Sequence, residues 1–210
     1  MCGHIVNGNK TTHYGDEEMK QARLLTEAER KRLAAIINSK RHAVRNHTVV
    51  ALSFYAGLRA CEIAALRVGD VFDQTGAARD TIHLAAHQTK GSESSTVFVN
   101  KRLAAALGRY AQQYPARLAK PDAALIFSAK GSGFTPQTIV NLFQHLYKQA
   151  GISGASSHSG RRQFVTELAD KGVSARLVQE AARHKNLNTT MRYIFVNENK
   201  LRAAVELVNY

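Results

Sequence analysis

The sequence is poor in cysteine and proline, with two cysteines and three prolines among its 210 residues. Cys2 lies in a polar terminal stretch and Cys61 lies in a predicted helix, so the pair offers no disulfide framework. With so few prolines and no low-complexity run, the sequence gives no sign of a linker between domains. The chain is long enough to bury one hydrophobic core. We therefore expect a single domain.

Long apolar runs are also lacking. The sequence has no uninterrupted apolar stretch of roughly 18 residues, the minimum for a membrane-spanning helix, so we expect no membrane partner. The first residues, MCGHIVNGNK, contain no apolar segment of the kind that forms the centre of a signal peptide. Together these absences predict an intracellular, reducing environment.

Residues with the spacing of metal ligands are missing as well. The chain has nine histidines, but no pair of them is accompanied by a matching third ligand. No acidic cluster and no Cys/His pattern has the spacing of a zinc or calcium site. We therefore expect neither a metal ion nor another cofactor.

Acidic residues are scarce relative to basic ones. The sequence has 16 aspartates and glutamates against 29 lysines and arginines, which gives a formal net charge of +13. Such an excess attracts polyanions, although it says nothing about the fold. A basic protein can also bind anionic lipid, but no polybasic block lies beside an apolar anchor here. Nucleic acid is therefore the expected partner.

Helical periodicity dominates what the sequence does contain. Thr26 followed by Glu29 has the pattern of a capping box and predicts a helix to Asn38. Residues 42–56 predict a core helix that ends at Gly57. Two runs with a period of two residues predict an antiparallel hairpin, and further apolar patterns predict additional elements. The predicted strands are 81–84, 96–99 and a short one at 125–127, and further helices are predicted at 102–113 and 136–149.

The last third of the chain predicts several short helices. Ser157 and Ser174 are expected to cap two of them, the second with Leu177 and Val178 inside, and a short helix from Asn188 delivers a tyrosine. The fold class is therefore mainly α with a small antiparallel β-sheet, an α+β fold. We expect a flexible tail at 1–23 and one domain at 24–210, with a C-terminal helix from about 197 that packs on its own core or on a neighbour.

The stretch 157–193 contains residues suited to phosphate chemistry. His158 and Arg161 are three residues apart, so they share a helix face and can point at one phosphate. A guanidinium bonds two phosphate oxygens at once, and an imidazole can donate a hydrogen bond or carry a proton near neutral pH. Tyr193 is a possible oxygen nucleophile. The stretch suggests phosphoryl transfer through a covalent tyrosyl intermediate, provided that further cations are supplied.

Arg59 can supply one of those cations. It follows the predicted helix end at Gly57 and begins the next helix, where unpaired N–H groups and the helix dipole favour anions. An alternative is that Arg59 simply forms an ion pair with Glu62, one turn away. We expect Glu62 to hold the guanidinium in place rather than to react.

In this order, these residues resemble the signature of the tyrosine recombinase, or phage integrase, family over roughly residues 25–208. That signature is an arginine, a lysine on a β-hairpin, a His-x-x-Arg, a later histidine or tryptophan, and a nucleophilic tyrosine. Glu62 matches the acidic residue that usually follows the first arginine. Lys90 matches the hairpin lysine by its position, although it could also be an ordinary solvated loop lysine. The six matched positions are Arg59, Lys90, His158, Arg161, His184 and Tyr193.

The resemblance implies a reaction without metal or ATP. Tyr193 would attack the scissile phosphate of double-stranded DNA and form a 3′-phosphotyrosyl bond, which releases a 5′-hydroxyl. His158 would assist the loss of the tyrosine proton, and Lys90 would protonate the departing oxygen. Arg59 and Arg161 would bind the non-bridging phosphate oxygens, and a later histidine, His184, would donate a further hydrogen bond.

The resemblance also implies partners and a setting. Relatives act as homo-oligomers on DNA, from dimer to tetramer, and the C-terminal helix would join the protomers. Accessory DNA-binding proteins are a further expectation. The implied setting is the cytoplasm of a bacterium, or of a phage host, in association with the nucleoid. The chain resembles the short recombinases of fimbrial switches, which lack an N-terminal DNA-clamping domain.

Two departures from the family pattern leave other functions open. The family usually reads His-x-Leu-Arg-His, whereas this chain has Gly160 and Arg162 in place of the leucine and the second histidine. The common Leu-Gly-His becomes Ala-Arg-His, with Arg183 in place of glycine. A catalytically weak DNA-binding regulator is therefore one alternative to a site-specific recombinase. A type IB topoisomerase, with a similar set of cations and a tyrosine, is another.

Overall fold

The computed structural model describes residues 22–89, 93–194 and 198–208. Within these ranges the chain forms short and medium α-helices and one two-stranded antiparallel sheet, which confirms the predicted fold class. The strands are β1 (Thr81–Leu84) and β2 (Ser95–Phe98). The helices are α1 (Glu27–Asn38), α2 (Ala43–Ala56), α3 (Ala60–Ala65), α4 (Val68–Val71), α5 (Lys101–Gln113), α6 (Pro115–Leu118), α7 (Pro136–Gln149), α8 (Ser159–Asp170), α9 (Ala175–Ala182), α10 (Leu187–Met191) and α11 (Glu198–Val205).

Two of the predicted helix boundaries are confirmed by their capping geometry. The hydroxyl of Thr26 accepts a hydrogen bond from the backbone N–H of Glu29, and the Glu29 carboxylate accepts one from the backbone N–H of Thr26 at 2.9 Å. This reciprocal arrangement satisfies N–H groups that the first turn of α1 leaves unpaired. Helix α2 ends at Gly57, whose φ of 61° lies in the left-handed region that glycine adopts without a steric penalty. The chain then turns directly to Arg59.

Helix α2 forms the centre of the hydrophobic core. It packs against α5 and α8, and α3 packs in turn against α7. Val49 and Leu52 of α2 are fully buried, and each such side chain contributes roughly 1.5–3 kcal/mol relative to exposure. A second, smaller cluster joins α8 to α9 through Val165, Val178 and Ala182. The large core therefore fixes the start of α3, whereas the small cluster fixes the chain around His184 and Tyr193.

The hairpin has the predicted antiparallel pairing, with β2 one residue earlier than expected. Thr81 pairs with Phe98 and Leu84 with Ser95, so Ile82 and Leu84 point into the core. Lys90 belongs to residues 90–92, which lie outside the described residues. The predicted strand at 125–127 is wrong. This segment makes only isolated bridges, because its two ends bond to different parts of the chain around residues 67 and 133.

Three predictions for the last third of the chain were also wrong. Helix α8 is not capped by Ser157; its N-cap is His158, whose N–H donates to the hydroxyl of Ser156 at 3.2 Å. Helix α10 begins before Asn188, because the Asn186 side chain accepts the N–H of Asn188 at 2.8 Å. Leu177 is 62 % exposed rather than inside. The two helix starts are set by side chains two residues away, Ser156 and Asn186, whereas the exposure of Leu177 depends on tertiary packing.

Gly160 has a steric explanation. A Cβ atom at this position would lie 2.3 Å from the hydroxyl oxygen of Ser53 and 2.5 Å from the ring of Phe54. Only a glycine therefore allows α8 to approach α2 this closely. The leucine that is common at this position in the family would collide with α2. The close approach also carries the next residue, Arg161, to the end of α2, where its guanidinium bonds the carbonyl of Gly57 at 2.6 Å.

No helix in the described residues is both long enough and apolar enough to cross a membrane.

Candidate active site

The candidate site is built around the buried carboxylate of Glu62, whose side chain is 1 % exposed. It accepts hydrogen bonds from the backbone N–H of Arg59 at 2.8 Å and from Arg59 Nη1 at 2.7 Å. Its other partner is Arg183 Nη2 at 2.9 Å. Burial alone would raise the pKa of Glu62, but the charges of Arg183 and Arg59 and the backbone hydrogen bond lower it overall. The carboxylate is therefore charged at neutral pH and binds two guanidiniums.

Arg59 is the N-cap residue of α3 and faces a cleft. Its extended backbone, with φ −78° and ψ 158°, turns the side chain back over the first turn of the helix towards Glu62. The side chain is 27 % exposed, and within the described residues it donates through Nη1 alone. Its other N–H groups are accordingly available to an anion in the cleft. The predicted ion pair and the predicted anion site are thus compatible.

Arg161 is buried beside the other arginines and is only 9 % exposed. Nη1 donates to the carbonyl of Gly57 at 2.6 Å, and Nη2 donates to the carbonyl of Ala182. Burial, together with the charges of Arg59 and Arg183, lowers its pKa to about 9. Arg161 is still protonated at neutral pH. Carbonyl oxygens satisfy its hydrogen bonds without neutralising its charge, so the field of this charge reaches the cleft.

His184 and Tyr193 lie together on the other side of the site. Their rings stack with centroids 5.9 Å apart and planes inclined at 22°. Nδ1 of His184 lies 2.9 Å from the hydroxyl of Thr190, and the N–H of Tyr193 donates to the carbonyl of Thr190 at 2.9 Å. Thr190 is fully buried and therefore fixes both residues. The phenol ring is half-buried against the small apolar cluster and is not enclosed in the core.

His184 is a neutral imidazole at physiological pH. Burial is the main cause, and the charges of Arg161, Arg59 and Arg183 act in the same direction, lowering its pKa to about 4. A neutral imidazole carries one N–H. When the Thr190 hydroxyl donates to Nδ1, that proton lies on Nε2, which can then donate to a ligand.

His158 occupies the exposed N-cap of α8, one helical turn before Arg161. Its Nδ1 lies 3.4 Å from the hydroxyl of Ser157. The structure therefore brings together five of the predicted site residues and places His158 at the start of the helix that carries Arg161. Lys90 lies outside the described residues. The five residues in one cluster are Arg59, Glu62, Arg161, His184 and Tyr193.

An open cleft of about 1200 Å³ lies over this cluster. Its lining includes Arg59, Arg183 and His184 together with residues 93–98 of the hairpin. The ammonium of Lys185 and the carboxylate of Glu93 form an ion pair of 3.1 Å between these two parts of the lining. Apolar side chains also line it, among them Phe164, Leu168, Val173 and Leu177. The cleft thus combines cationic and apolar lining residues.

Two residues of the site were not assigned a role from the sequence. The sequence pattern marks Arg183 only as a departure from glycine, yet its guanidinium bonds Glu62. The signal for it was the basic residue at a helix end where glycine is usual. The pattern around Thr190 predicts only a helix start, yet its hydroxyl contacts His184. Its distance of three residues from Tyr193 was the only available signal.

We predict that His184 titrates near pH 4, because burial and three guanidiniums disfavour its charged form. In the unfolded chain it should titrate near its ordinary value of about 6.5. The unfolded state then takes up the proton first, so this residue's contribution to stability is full above pH 6.5 and declines as the pH falls towards 4. NMR titration of the His184 ring in folded and urea-unfolded protein measures both values. A folded midpoint at or above the unfolded one would contradict this environment.

Comparison with known proteins agrees with the geometry. The model of the phage integrase family matches residues 23–200. The tyrosine recombinase XerD of Neisseria meningitidis serogroup A (strain Z2491) is 30% identical over 186 residues, which cover 87% of this chain and 62% of that protein. The crystal structure of XerA recombinase superposes with a TM-score of 0.69 and 26% identity, and covers 90% of this chain and 67% of that one.

A structure of XerH recombinase bound to its difH substrate, a pre-cleavage complex, has the same fold. It aligns with a TM-score of 0.65 at 23% identity, over 88% of this chain and 53% of that one. The chain spans about 50–62% of the length of the curated relatives that it matches. Since the family model covers most of the chain, the protein belongs to the phage integrase family, and the relatives that it matches are tyrosine recombinases.

Proposed function

We propose that the chain carries out site-specific DNA recombination, in which it cleaves and rejoins double-stranded DNA through a 3′-phosphotyrosyl intermediate. The observation that carries this proposal is the clustering of Arg59 and Arg161 with a neutral His184 stacked on Tyr193, beside one open cleft. Arg59 can donate to a non-bridging oxygen of a phosphodiester, whereas Arg161, whose terminal nitrogens bond backbone carbonyls, contributes its charge. The phenol supplies the nucleophile.

Arginines stabilise the charge that develops on the phosphate during attack. In the proposed reaction the Tyr193 oxygen bonds to phosphorus while the bond to the 5′ oxygen breaks. Arg59 contacts the phosphate through its N–H groups in the cleft, and the buried charge of Arg161 acts through its field. Donors that are fixed in advance pay no reorganisation cost during the reaction, and removing one typically costs ~10²–10³ in rate. Both guanidiniums are held by backbone carbonyls or by Glu62, so they are fixed in this sense.

Proton transfers complete the proposed reaction. His158 takes the proton of the Tyr193 hydroxyl, and Lys90 gives a proton to the departing 5′ oxygen. The position of Lys90 in the sequence supports this role, because its described neighbours Thr89 and Glu93 both line the cleft. The phosphotyrosyl bond keeps the energy of the phosphodiester. A 5′-hydroxyl from a second duplex can therefore attack it and exchange strands through a Holliday junction without ATP.

The proposed substrate is DNA for two reasons. The net charge of +13 favours a polyanion. The related XerH recombinase has been seen bound to its difH DNA substrate. We further propose action in the cytoplasm on a nucleoid-associated site. The need for accessory DNA-binding proteins stays a prediction.

The departures from the family pattern are compatible with activity. Gly160 allows the contact between α2 and α8, and Arg162 Nη1 donates to the carbonyl of Ala22 at 2.5 Å, away from the arginine cluster. Arg183 bonds the same carboxylate as Arg59. Each departure therefore has a structural role that leaves Arg59 and Arg161 in the cluster, so none of them by itself requires a regulator that only binds DNA. Relaxation of any supercoiled plasmid by a single protomer, without junctions, would instead identify a topoisomerase.

We also propose that α11 joins protomers on DNA. Leu201 and Val205 are four residues apart, so they share a helix face, and they are 56 % and 69 % exposed. The apolar side of the cleft exposes Phe98 and Leu177 to a similar degree. A second protomer's α11 that covers these surfaces would bury apolar area on both partners. This complementarity supports assembly from dimer to tetramer.

We predict that a nicked suicide duplex will trap the wild-type protein as a covalent adduct, visible by denaturing gel electrophoresis. Tyr193→Phe should form no adduct but should bind DNA with similar affinity, because it lacks only the attacking oxygen. Tyr114→Phe is the matched control: this half-buried tyrosine packs on Phe127 and should leave the adduct unchanged. Wild-type protein that binds the duplex and never becomes attached would establish the regulator reading.

Assembly has a separate test. Replacing Leu201 and Val205 together by Asp should leave the unfolding temperature unchanged, because both side chains are exposed. The double variant should bind a two-site duplex as independent protomers, whereas wild type should form dimers and tetramers. Analytical ultracentrifugation on DNA separates these species. Arg202→Ala, which removes an exposed ion pair from the same helix, is the control. If the double variant forms dimers and tetramers as wild type does, α11 is not the contact between protomers.

A further inference from the structure

Arg183 has an unusual backbone conformation. Its φ of 55° and ψ of 48° lie in the left-handed region, and it is the only residue other than glycine with a positive φ in the described parts of the chain. A side chain crowds the backbone in this region, whereas glycine adopts it readily. Arginine is therefore a costly choice for ending α9, and its side chain must provide some compensating interaction.

The side chain of Arg183 turns inward to the arginine cluster. It is 8 % exposed. Nη2 lies 2.9 Å from the Glu62 carboxylate and 3.1 Å from the carbonyl of Gly57, and Nη1 lies 3.3 Å from the carbonyl of Ala56. Arg183 thus connects the end of α9 to the end of α2 and to the start of α3. The connection spans 121 residues of sequence.

Stabilising the fold does not by itself account for this arrangement. Arg59, Arg161 and Arg183 lie within electrostatic range of one another, and each lowers the pKa of His184. Glu62 is the carboxylate that faces them. Arg183, a second largely buried guanidinium beside Arg161 and the partly exposed Arg59, therefore adds repulsion that a single carboxylate does not offset. An anion in the cleft would offset it.

Arg59 and Arg183 share the two oxygens of the Glu62 carboxylate, and this sharing limits how the Arg59 guanidinium can bind. A guanidinium and a carboxylate usually prefer a bidentate pair with two parallel hydrogen bonds. Here Arg183 and the backbone N–H of Arg59 occupy Oε2, so the Arg59 side chain reaches only Oε1. Without Arg183, both carboxylate oxygens could accept from the Arg59 guanidinium and draw it away from the cleft.

We propose that Arg183 is a positioning residue for the cleavage reaction. By sharing Glu62 with Arg59, it keeps Arg59 bound through one nitrogen and leaves the other N–H groups directed at the scissile phosphate. This role rests on the proposed recombinase function. It is specific to this chain in that Arg183 occupies the position where the family pattern has glycine.

The test compares Arg183→Gly with wild type. Glycine suits the left-handed backbone, so the variant should fold, although the loss of one buried partner of Glu62 should lower its unfolding temperature. It should also bind the suicide duplex with an affinity close to that of wild type. At saturating enzyme, however, the single-turnover rate of adduct formation should fall by ~10–10²-fold, as a misplaced reacting group causes. Arg183→Lys should be intermediate, because a single ammonium cannot bond Glu62 and Gly57 as the planar fork does.

A double-mutant cycle isolates the route through Arg59. If Arg183 acts by positioning Arg59, then adding Arg183→Gly to Arg59→Ala should slow the reaction little further. Fully additive effects of the two substitutions would overturn the proposal. Arg176→Ala, which removes an exposed charge from the same helix, controls for the loss of one positive charge and should cleave at the wild-type rate.

The remaining outcomes are decisive as well. If Arg183→Gly cleaves at the wild-type rate, Arg183 forms only a structural ion pair. If its DNA affinity falls as much as its cleavage rate, Arg183 acts only by attracting DNA. Either result overturns this role and leaves the proposed function intact. If Arg183→Gly fails to fold, the test passes to Arg183→Lys. A wild-type rate of adduct formation in Arg183→Lys would then overturn the positioning role. A wild-type protein that forms no adduct overturns the proposed function and, with it, this role.

Discussion

A carboxylate that is almost completely shielded from water cannot remain charged without partners. Glu62 has two partners, one close in the sequence and one far from it. Arg59 precedes it by three residues, and Arg183 comes from the end of α9. The pair of contacts fixes the start of α3 against α9. Because His184 follows directly on Arg183, the same carboxylate also sets where the later histidine enters the site.

The cluster as a whole has more positive than negative charge. Glu62 offers one negative charge, whereas Arg59, Arg161 and Arg183 contribute three guanidiniums, two of which are largely buried. The result is visible in the pKa of Arg161, which burial and its neighbours lower to about 9, and in the neutral state of His184. A site of this kind is electrostatically incomplete until an anion binds. In the proposed function this anion is the scissile phosphate, and the cost in stability is of the kind that functional sites commonly carry.

Some of this arrangement follows from local sequence. The capping box at Thr26, the glycine end of α2 and the alternation of the hairpin depend on near neighbours, so pattern reasoning predicted them. The pairing of Arg59 with Glu62 is of the same kind, because three residues separate them on one helix turn. The order of the site residues followed from the resemblance to the family.

Other features depend on contacts between distant segments. The carbonyls that hold Arg161 belong to Gly57 and Ala182, and nothing in the sequence around Arg161 indicates them. Arg183 departs from the family pattern, and its role depends on Glu62, which lies 121 residues earlier in the chain. Leu177 has the periodicity of a buried residue, but no described element covers it and it lines the cleft. In each of these cases the deciding partner is far away in the chain.

The stability of a Glu62→Gln variant tests the central role of this carboxylate most directly. The substitution keeps the shape and removes the charge, so two guanidiniums lose their buried partner. The account predicts a loss of about 3–5 kcal/mol in the free energy of unfolding, measured by urea denaturation. Glu167 forms an ion pair with Arg30 in which both side chains are exposed to solvent. Glu167→Gln should therefore change the free energy of unfolding by less than about 1 kcal/mol. A Glu62→Gln protein as stable as wild type would contradict the account.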